Sequence, residues 1–309
     1  MRVIFMGNPD FAVPSLEAVA ESSHKIIAVV SNPPKRIGRG KKMRETKIST
    51  IAKALQIPLI QPAKLSDQHF QKYISWMKPD IFVVVAYKIL PDKLLSIPQF
   101  GAINLHPSLL PKYRGAAPIQ WALLNGDLTT AVTTISLSRK IDSGAILMQE
   151  SVDVNDNDNY GMLSDRLSKL GANIVVKTLD ELENNTLKGK IQDESKVTSA
   201  RKIKPTDYQI DWKKSAKNIH NQIRAFSPFP GAFTMLNNKR IKIFSTTFSD
   251  IIDNFGENGE IKFHENQFVV QTGDGVLVIQ EVQLEGKKRM KATDFLRGTQ
   301  LQSKTILGD

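Results

Sequence analysis

Asn104 and His106 stand two residues apart in the run Asn104-Leu105-His106-Pro107-Ser108-Leu109-Leu110-Pro111-Lys112-Tyr113-Arg114-Gly115. Residues 101–105 read as a short strand, whose two-residue period turns a carboxamide and an imidazole to one side. An imidazole can take up the proton that an attacking amine must lose. A carboxamide can donate a hydrogen bond to the oxyanion that grows on a carbonyl under attack. A carboxylate beside the imidazole would fix its tautomer and favour its charged form. Asp142 is the candidate for that third group, in Lys140-Ile141-Asp142-Ser143-Gly144-Ala145, a turn between two expected strands. Together these are the parts of an acyl transfer to an amine. Each has an ordinary reading as well. A lone strand-end His is more often a satisfied structural group, and an Asp in a turn more often serves the turn. The pairing of Asn104 with His106 on one face, entering a loop, is what favours chemistry.

Other chemistries lack their residues. The chain has no Cys, which excludes disulfides, thiolate metal sites and a Cys nucleophile. None of its five His, at 24, 69, 106, 220 and 264, shares metal-ligand spacing with another, so no metal is expected. There is no GxxxxGK[ST] phosphate loop. Gly7-Asn8-Pro9 lacks the second and third glycines of a dinucleotide fingerprint.

The elements that would position the trio alternate between strand and helix. Residues 2–6, 26–30, 58–60, 81–86 and 101–105 are short apolar runs, and helical patterns intervene at 14–21, 47–55 and 66–77, the last capped by Ser66 or Asp67. The run Ile81-Phe82-Val83-Val84-Val85-Ala86 is apolar on both faces, as in a parallel sheet covered on both sides. The fold class expected is α/β, an open, mostly parallel, Rossmann-like sheet with helices on both faces. Ligands of such sheets bind beyond the carboxyl ends of the strands. The residues after Met6, Val30 and Ala86, and from Asn104 onward, should then border one cleft. A helix at 118–125, strands at 132–137 and 145–152 and a longer helix at 159–183 follow. Pattern is lost over 190–206, read as a linker between a catalytic domain at 1–189 and a second domain at 207–309. A helix at 213–224 and five short strands between 233 and 282 suggest a small C-terminal β-barrel, OB-like.

The formal net charge is +11. Its distribution is informative, because the segment 35–47 carries seven Lys/Arg and one Glu, whereas the rest of the first 189 residues holds as many acids as bases. A solvated loop is the plain reading. A flexible basic arm that meets phosphates is the sharper one, and Gly38 and Gly40 around Arg39 would give it freedom to mould. A second basic cluster lies at Lys287-Lys288-Arg289-Met290-Lys291.

The run at 104–115, with Asp142-Ser143-Gly144 downstream, resembles the signature of the folate-dependent formyltransferases. The opening residues 3–19, the basic segment 35–42, and Ile210-Asp211-Trp212 followed by Pro228-Phe229-Pro230-Gly231-Ala232 resemble the branch that acts on an aminoacylated initiator tRNA. The resemblance spans essentially the whole chain. It implies Asn104, His106 and Asp142 as catalytic residues. It implies Ser108, Leu109, Leu110, Pro111 and Tyr87 around a 10-formyltetrahydrofolate co-substrate, and Arg39, Lys41 and Lys42 as contacts to methionyl-initiator tRNA. A cytoplasmic monomer that uses no membrane is expected. The chain departs from the pattern after Tyr87, where Lys88-Ile89-Leu90-Pro91 follows at once without the usual Gly, and before Asp142, where Ser138-Arg139-Lys140-Ile141 replaces an apolar or acidic approach. Relatives acting on a sugar-nucleotide amine or on water would share the trio but need no basic arm. A non-catalytic RNA-binding relative would need the arm but not the trio.

Overall fold

The structure is a computed structural model that describes residues 1–37, 42–248, 255–264, 267–299 and 304–308. Its contacts divide the chain into two compact units. One holds Met1–Pro118, Thr129–Asp153 and Ser164–Ala200; the other holds Ile119–Leu128, Val154–Leu163 and Arg201–Asp309.

Seven strands build the first unit: β1 (Arg2–Gly7), β2 (Lys25–Val30), β3 (Leu59–Ile60), β4 (Ile81–Val85), β5 (Ala102–His106), β6 (Thr129–Ser136) and β7 (Ile146–Asp153). They pair in the order β7-β6-β5-β4-β1-β2-β3. Strands β1 to β5 run parallel, and β6 and β7 are antiparallel to their neighbours. Both faces of the parallel part are buried. Ile4, Met6, Ala28, Val30, Phe82 and Val84 pack in one cluster with Phe70 and Ile74. The alternate residues Val3, Phe5, Val29, Val83 and Val85 are also wholly buried. Burial on both faces is why these strands read as unbroken apolar runs. Helix α1 (Val13–Glu21) follows β1. Helix α2 (Lys47–Ala54) starts at Thr46, whose hydroxyl accepts from the Ser49 N–H at 3.0 Å. Helix α3 (Gln68–Trp76) starts at Asp67, whose carboxylate accepts from the Phe70 N–H at 2.9 Å. Each cap satisfies a backbone donor that the first turn leaves over. The chain leaves β1 toward β2 and β3 on one side and reaches β4 and β5 on the other. The sheet thus reverses direction between β1 and β4, where such folds bind ligands at the carboxyl edge.

The basic segment differs from the flexible loop expected. Lys35–Ile37 and Lys42–Arg44 pair antiparallel as a hairpin, with Lys35 opposite Arg44 and Ile37 opposite Lys42. Three residues a side give too little alternation to read as strand in the sequence. The base of the hairpin is tied to the sheet edge through Ser31. Its hydroxyl donates to Asn8 Oδ1 at 3.2 Å and lies 2.6 Å from Thr46 Oγ1, which caps α2.

In the second unit, β8 (Ala232–Leu236), β9 (Lys239–Phe248), β10 (Ile261–His264), β11 (Gln267–Gln271) and β12 (Val276–Leu284) form an antiparallel sheet in the order β8-β9-β12-β11-β10. The short strand Met290–Lys291 pairs beside β12. The Asn237-Asn238 turn between β8 and β9 has both residues at positive φ, as a two-residue hairpin requires. The helix Ala216–Ala225 is capped by Ser215. Among the described residues no helix is long and apolar enough to cross a membrane.

Candidate active site

Strand β5 ends at His106, a buried residue only 4% exposed. Its Nε2 lies 2.9 Å from the Tyr113 carbonyl oxygen. A carbonyl can only accept, so this nitrogen carries the proton in that bond. Nδ1 lies 3.6 Å from Oδ2 of Asp142. That separation is too long for a hydrogen bond, yet it sets a carboxylate against the ring. Both ring nitrogens therefore face oxygen acceptors.

Asp142 is held by backbone. Its Oδ2 accepts from the Gly115 N–H at 2.9 Å. The residue itself has φ 50°, in the left-handed region. Gly144, two residues on, can only be glycine: a Cβ there would stand 1.6 Å from the Ser136 carbonyl oxygen at the end of β6. The turn is thus pressed against the strand it leaves. Gly115 is similarly constrained, with φ +125° and a Cβ position 2.6 Å from the Ala200 carbonyl oxygen. Short strands Arg114–Gly115 and Ser199–Ala200 pair in parallel there.

Asn104 lies on the same side of β5 as His106 and is half-buried. Its carboxamide makes no hydrogen bond among the described residues, which leaves both its donor and its acceptor available. The loop after His106 is tightly wrapped. Ser108 is wholly buried, its hydroxyl donates to the Lys112 carbonyl at 2.8 Å, and its own carbonyl accepts from Thr133 Oγ1 at 2.7 Å. Thr133 stands opposite His106 in the register. Gln149 Nε2 donates to the Leu110 carbonyl at 3.1 Å and to Thr133 Oγ1 at 2.8 Å. Ser108 and Leu110 are therefore scaffold, and Leu109 and Pro111 are the part-exposed members of the loop.

Tyr87 follows the end of β4, beside the point where the sheet reverses. Its hydroxyl is buried without a hydrogen-bond partner among the described residues, and burial pushes the phenol up to about 12. A neutral, unpartnered donor at the carboxyl edge fits a ligand rich in ring nitrogens and carbonyls. Lys42 is exposed on the hairpin. Arg39 and Lys41 lie outside the described residues.

Comparison with known proteins now decides the family. A family model described as Formyl transferase matches residues 1–179, and one described as Formyl transferase, C-terminal domain, matches 202–300. The chain belongs to the formyltransferase family. A methionyl-tRNA formyltransferase of Thermodesulfovibrio yellowstonii is 42% identical over 300 residues, covering 97% of this chain and 96% of the relative. One of Lachnospira eligens is 41% identical over 318 residues and covers all of both chains. Among solved structures, WlaRD, a sugar 3N-formyl transferase crystallised with dTDP and 5-N-formyl-THF, superposes with a TM-score of 0.69 at 22% identity. It covers 93% of this chain and 99% of its own, and it speaks to the fold alone.

In this formyltransferase the structure brings His106 and Asp142 together and sets Asn104 on the same strand and face as His106. Sequence reasoning missed Thr133 and Gln149, which hold the loop after His106, and Gln192, which donates to the Asp142 carbonyl. Thr133 and Gln149 sit within expected strands, where the period of two would have assigned them a face. Gln192 falls in the segment read as a linker, and no spacing pointed to it.

Proposed function

We propose that the chain transfers the formyl group of 10-formyltetrahydrofolate to the α-amino group of methionine esterified to initiator tRNA, for translation initiation. The observation that carries this is buried His106 with the Asp142 carboxylate against it at the sheet's carboxyl edge, and the carboxamide of Asn104 on the same face of the strand. Kinship over the whole chain length with methionyl-tRNA formyltransferases supports the choice of acceptor.

Asn104 donates to the oxyanion that develops at the formyl carbonyl, and His106 stabilises that charge and manages the proton lost by the attacking amine. Asp142 orients the imidazole and balances its positive form. Tyr87 and the part-exposed loop residues Leu109 and Pro111, braced by buried Ser108 and Leu110, hold the folate, which supplies the activated one-carbon unit. No metal takes part. Arg39, Lys41 and Lys42 meet tRNA phosphates, with Lys42 on a hairpin whose strands also expose Lys35, Arg36 and Arg44. Residues 1–189, with 190–200 packed on the Asp142 turn, form the catalytic domain, 201–206 lead out of it, and 207–309 form a β-barrel domain that contacts the tRNA. The protein works as a cytoplasmic monomer.

The test is a transfer assay with the formyl donor and methionyl-tRNA, with free methionine and an amino-sugar nucleotide as control acceptors. Transfer confined to methionyl-tRNA is expected, and His106→Ala should abolish it while tRNA binding survives. Preference for the sugar nucleotide, or near-normal turnover by His106→Ala, overturns the reading.

A further inference from the structure

The stretch 190–200 crosses behind the catalytic turn, within the first unit. Lys190 and Ile146 exchange backbone hydrogen bonds, each 2.8 Å. Two residues on, Gln192 is only 5% exposed. Its Nε2 donates to the Asp142 carbonyl at 2.8 Å and to the Gly144 carbonyl at 2.7 Å. Its Oε1 accepts from Arg114 Nε at 3.0 Å and Nη2 at 2.9 Å. Both N–H groups and both lone pairs of the carboxamide are thereby used. Arg114 in turn pairs with Glu194 at 2.8 Å, and its backbone N–H donates to Thr198 O at 2.9 Å.

What Gln192 joins is the two sides of one contact. On one side is the main chain of Asp142 and Gly144. On the other is Arg114, the residue immediately before the Gly115 N–H that holds the Asp142 carboxylate. Asp142 keeps a left-handed backbone, which a non-glycine residue sustains only where its surroundings over-determine it. We propose that Gln192 is a positioning residue for Asp142, fixing at once the backbone of the carboxylate and the loop that donates to it, and so the approach of that carboxylate to His106. This rests on the catalytic reading of Asp142 given above. Gln192 makes no hydrogen bond to His106 among the described residues; it acts through the Asp142 turn and the Arg114–Gly115 loop that holds its carboxylate.

Gln192→Glu keeps the volume and the acceptor for Arg114 but replaces the two donors by an oxygen. Gln192→Met, which adds no charge, runs in parallel in case the first fails to fold. Both are measured with and without Asp142→Asn. In the wild-type background kcat should fall about 10²-fold, the cost of a small misplacement of a catalytic group. KM for methionyl-tRNA and for the formyl donor should stay within about threefold. In the Asp142→Asn background the further loss should be within about twofold, because residues that act as a unit are non-additive. In the ligand-free protein the Gly115 amide should exchange with deuterium faster in the variants, a readout independent of turnover. Unchanged kcat beside an inactive Asp142→Asn overturns the proposal alone. So does an equal loss in both backgrounds, or unchanged exchange at Gly115. Near-normal turnover by Asp142→Asn overturns the catalytic reading and this proposal with it.

Discussion

Oδ2 of Asp142 stands 3.6 Å from Nδ1 of His106, and the same oxygen accepts the Gly115 N–H at 2.9 Å. One carboxylate oxygen is thus shared between a fixed backbone donor and a ring that can gain a proton. The backbone donor keeps the oxygen in place whether or not the ring is charged. The imidazole is held from its other side by the Tyr113 carbonyl, so the pair meets without side-chain search.

Asp142→Asn tests the charge. An asparagine can still accept from Gly115 through its carbonyl oxygen, so the turn should persist and the melting temperature should move little. The negative charge beside the ring is lost. Turnover should fall about 10²- to 10⁴-fold, the range that positioned acid–base groups contribute. A transfer assay at saturating methionyl-tRNA checks this.

Gly144→Ala tests the packing of the turn. The added Cβ would sit 1.6 Å from the Ser136 carbonyl oxygen, which is backbone and cannot swing aside. The turn must lift off β6 and take Asp142 with it. A stability loss of about 2–4 kcal/mol is expected, with turnover falling as well. Urea unfolding at an unchanged slope measures the first and the transfer assay the second.

Much of this site was legible because its parts lie on regular elements. The apolar run 81–86 marked a buried strand, which the structure ends one residue earlier at Val85, and the period of two put Asn104 and His106 on one face, as observed. A helix cap at Ser66 or Asp67 (the structure uses Asp67), the hairpin turn at Asn237-Asn238 and the strands of the second unit were readable from local chemistry alone. What was not legible depends on contacts between residues far apart in sequence. Gln192 is a single polar residue in a stretch without periodicity, and its value comes from what folds against it. The hairpin at 35–44 escaped for a different reason: its strands are too short to show a pattern. Its place in a turn between two expected strands made Asp142 a candidate whose plainer reading was an ordinary turn aspartate, and the resemblance implied its catalytic role.

Tyr87→Phe separates ligand binding from stability. Burial lifts the phenol to about 12, so it is neutral at any working pH, and its hydroxyl has no partner among the described residues. Removing an unsatisfied buried hydroxyl should leave stability unchanged or raise it by about 1 kcal/mol. KM for the formyl donor should rise if that hydroxyl meets the folate. A melting curve and donor-dependent kinetics give the two answers; a clear loss of stability would contradict the first.

His220 makes the second unit sensitive to acid. Its Nδ1 lies 2.9 Å from Thr246 Oγ1 and its Nε2 lies 3.3 Å from the Asp156 carbonyl. Burial pushes its pKa below the ordinary histidine value, and the nearby Arg224 adds to this, against the opposing pull of Asp156. The unfolded chain therefore binds this proton more readily than the folded one. Stability should be flat above about pH 6.5 and fall as the pH drops toward the lower folded value, by at most about 1.4 kcal/mol per pH unit. His220→Gln should flatten that part of the profile. Denaturant midpoints measured between pH 5 and 8, on wild type and variant, decide it.

The basic hairpin predicts a salt signature. Lys42 is exposed on one strand, and Arg39 falls in the sequence between the two strands, outside the described residues. Each phosphate contact releases counterions, so affinity for tRNA should fall with salt in proportion to the number of contacts made. Replacing both residues by alanine removes two, and the slope of log affinity against log salt should become shallower by about 1.5. The hairpin lies away from His106 in sequence and in strand pairing, so kcat at saturating tRNA should be kept while KM rises. Filter binding across a salt series gives the slope. An unchanged slope with weakened affinity would mean that the substitutions disturb the hairpin's fold instead of its charge, and an unchanged affinity would remove the tRNA from this surface.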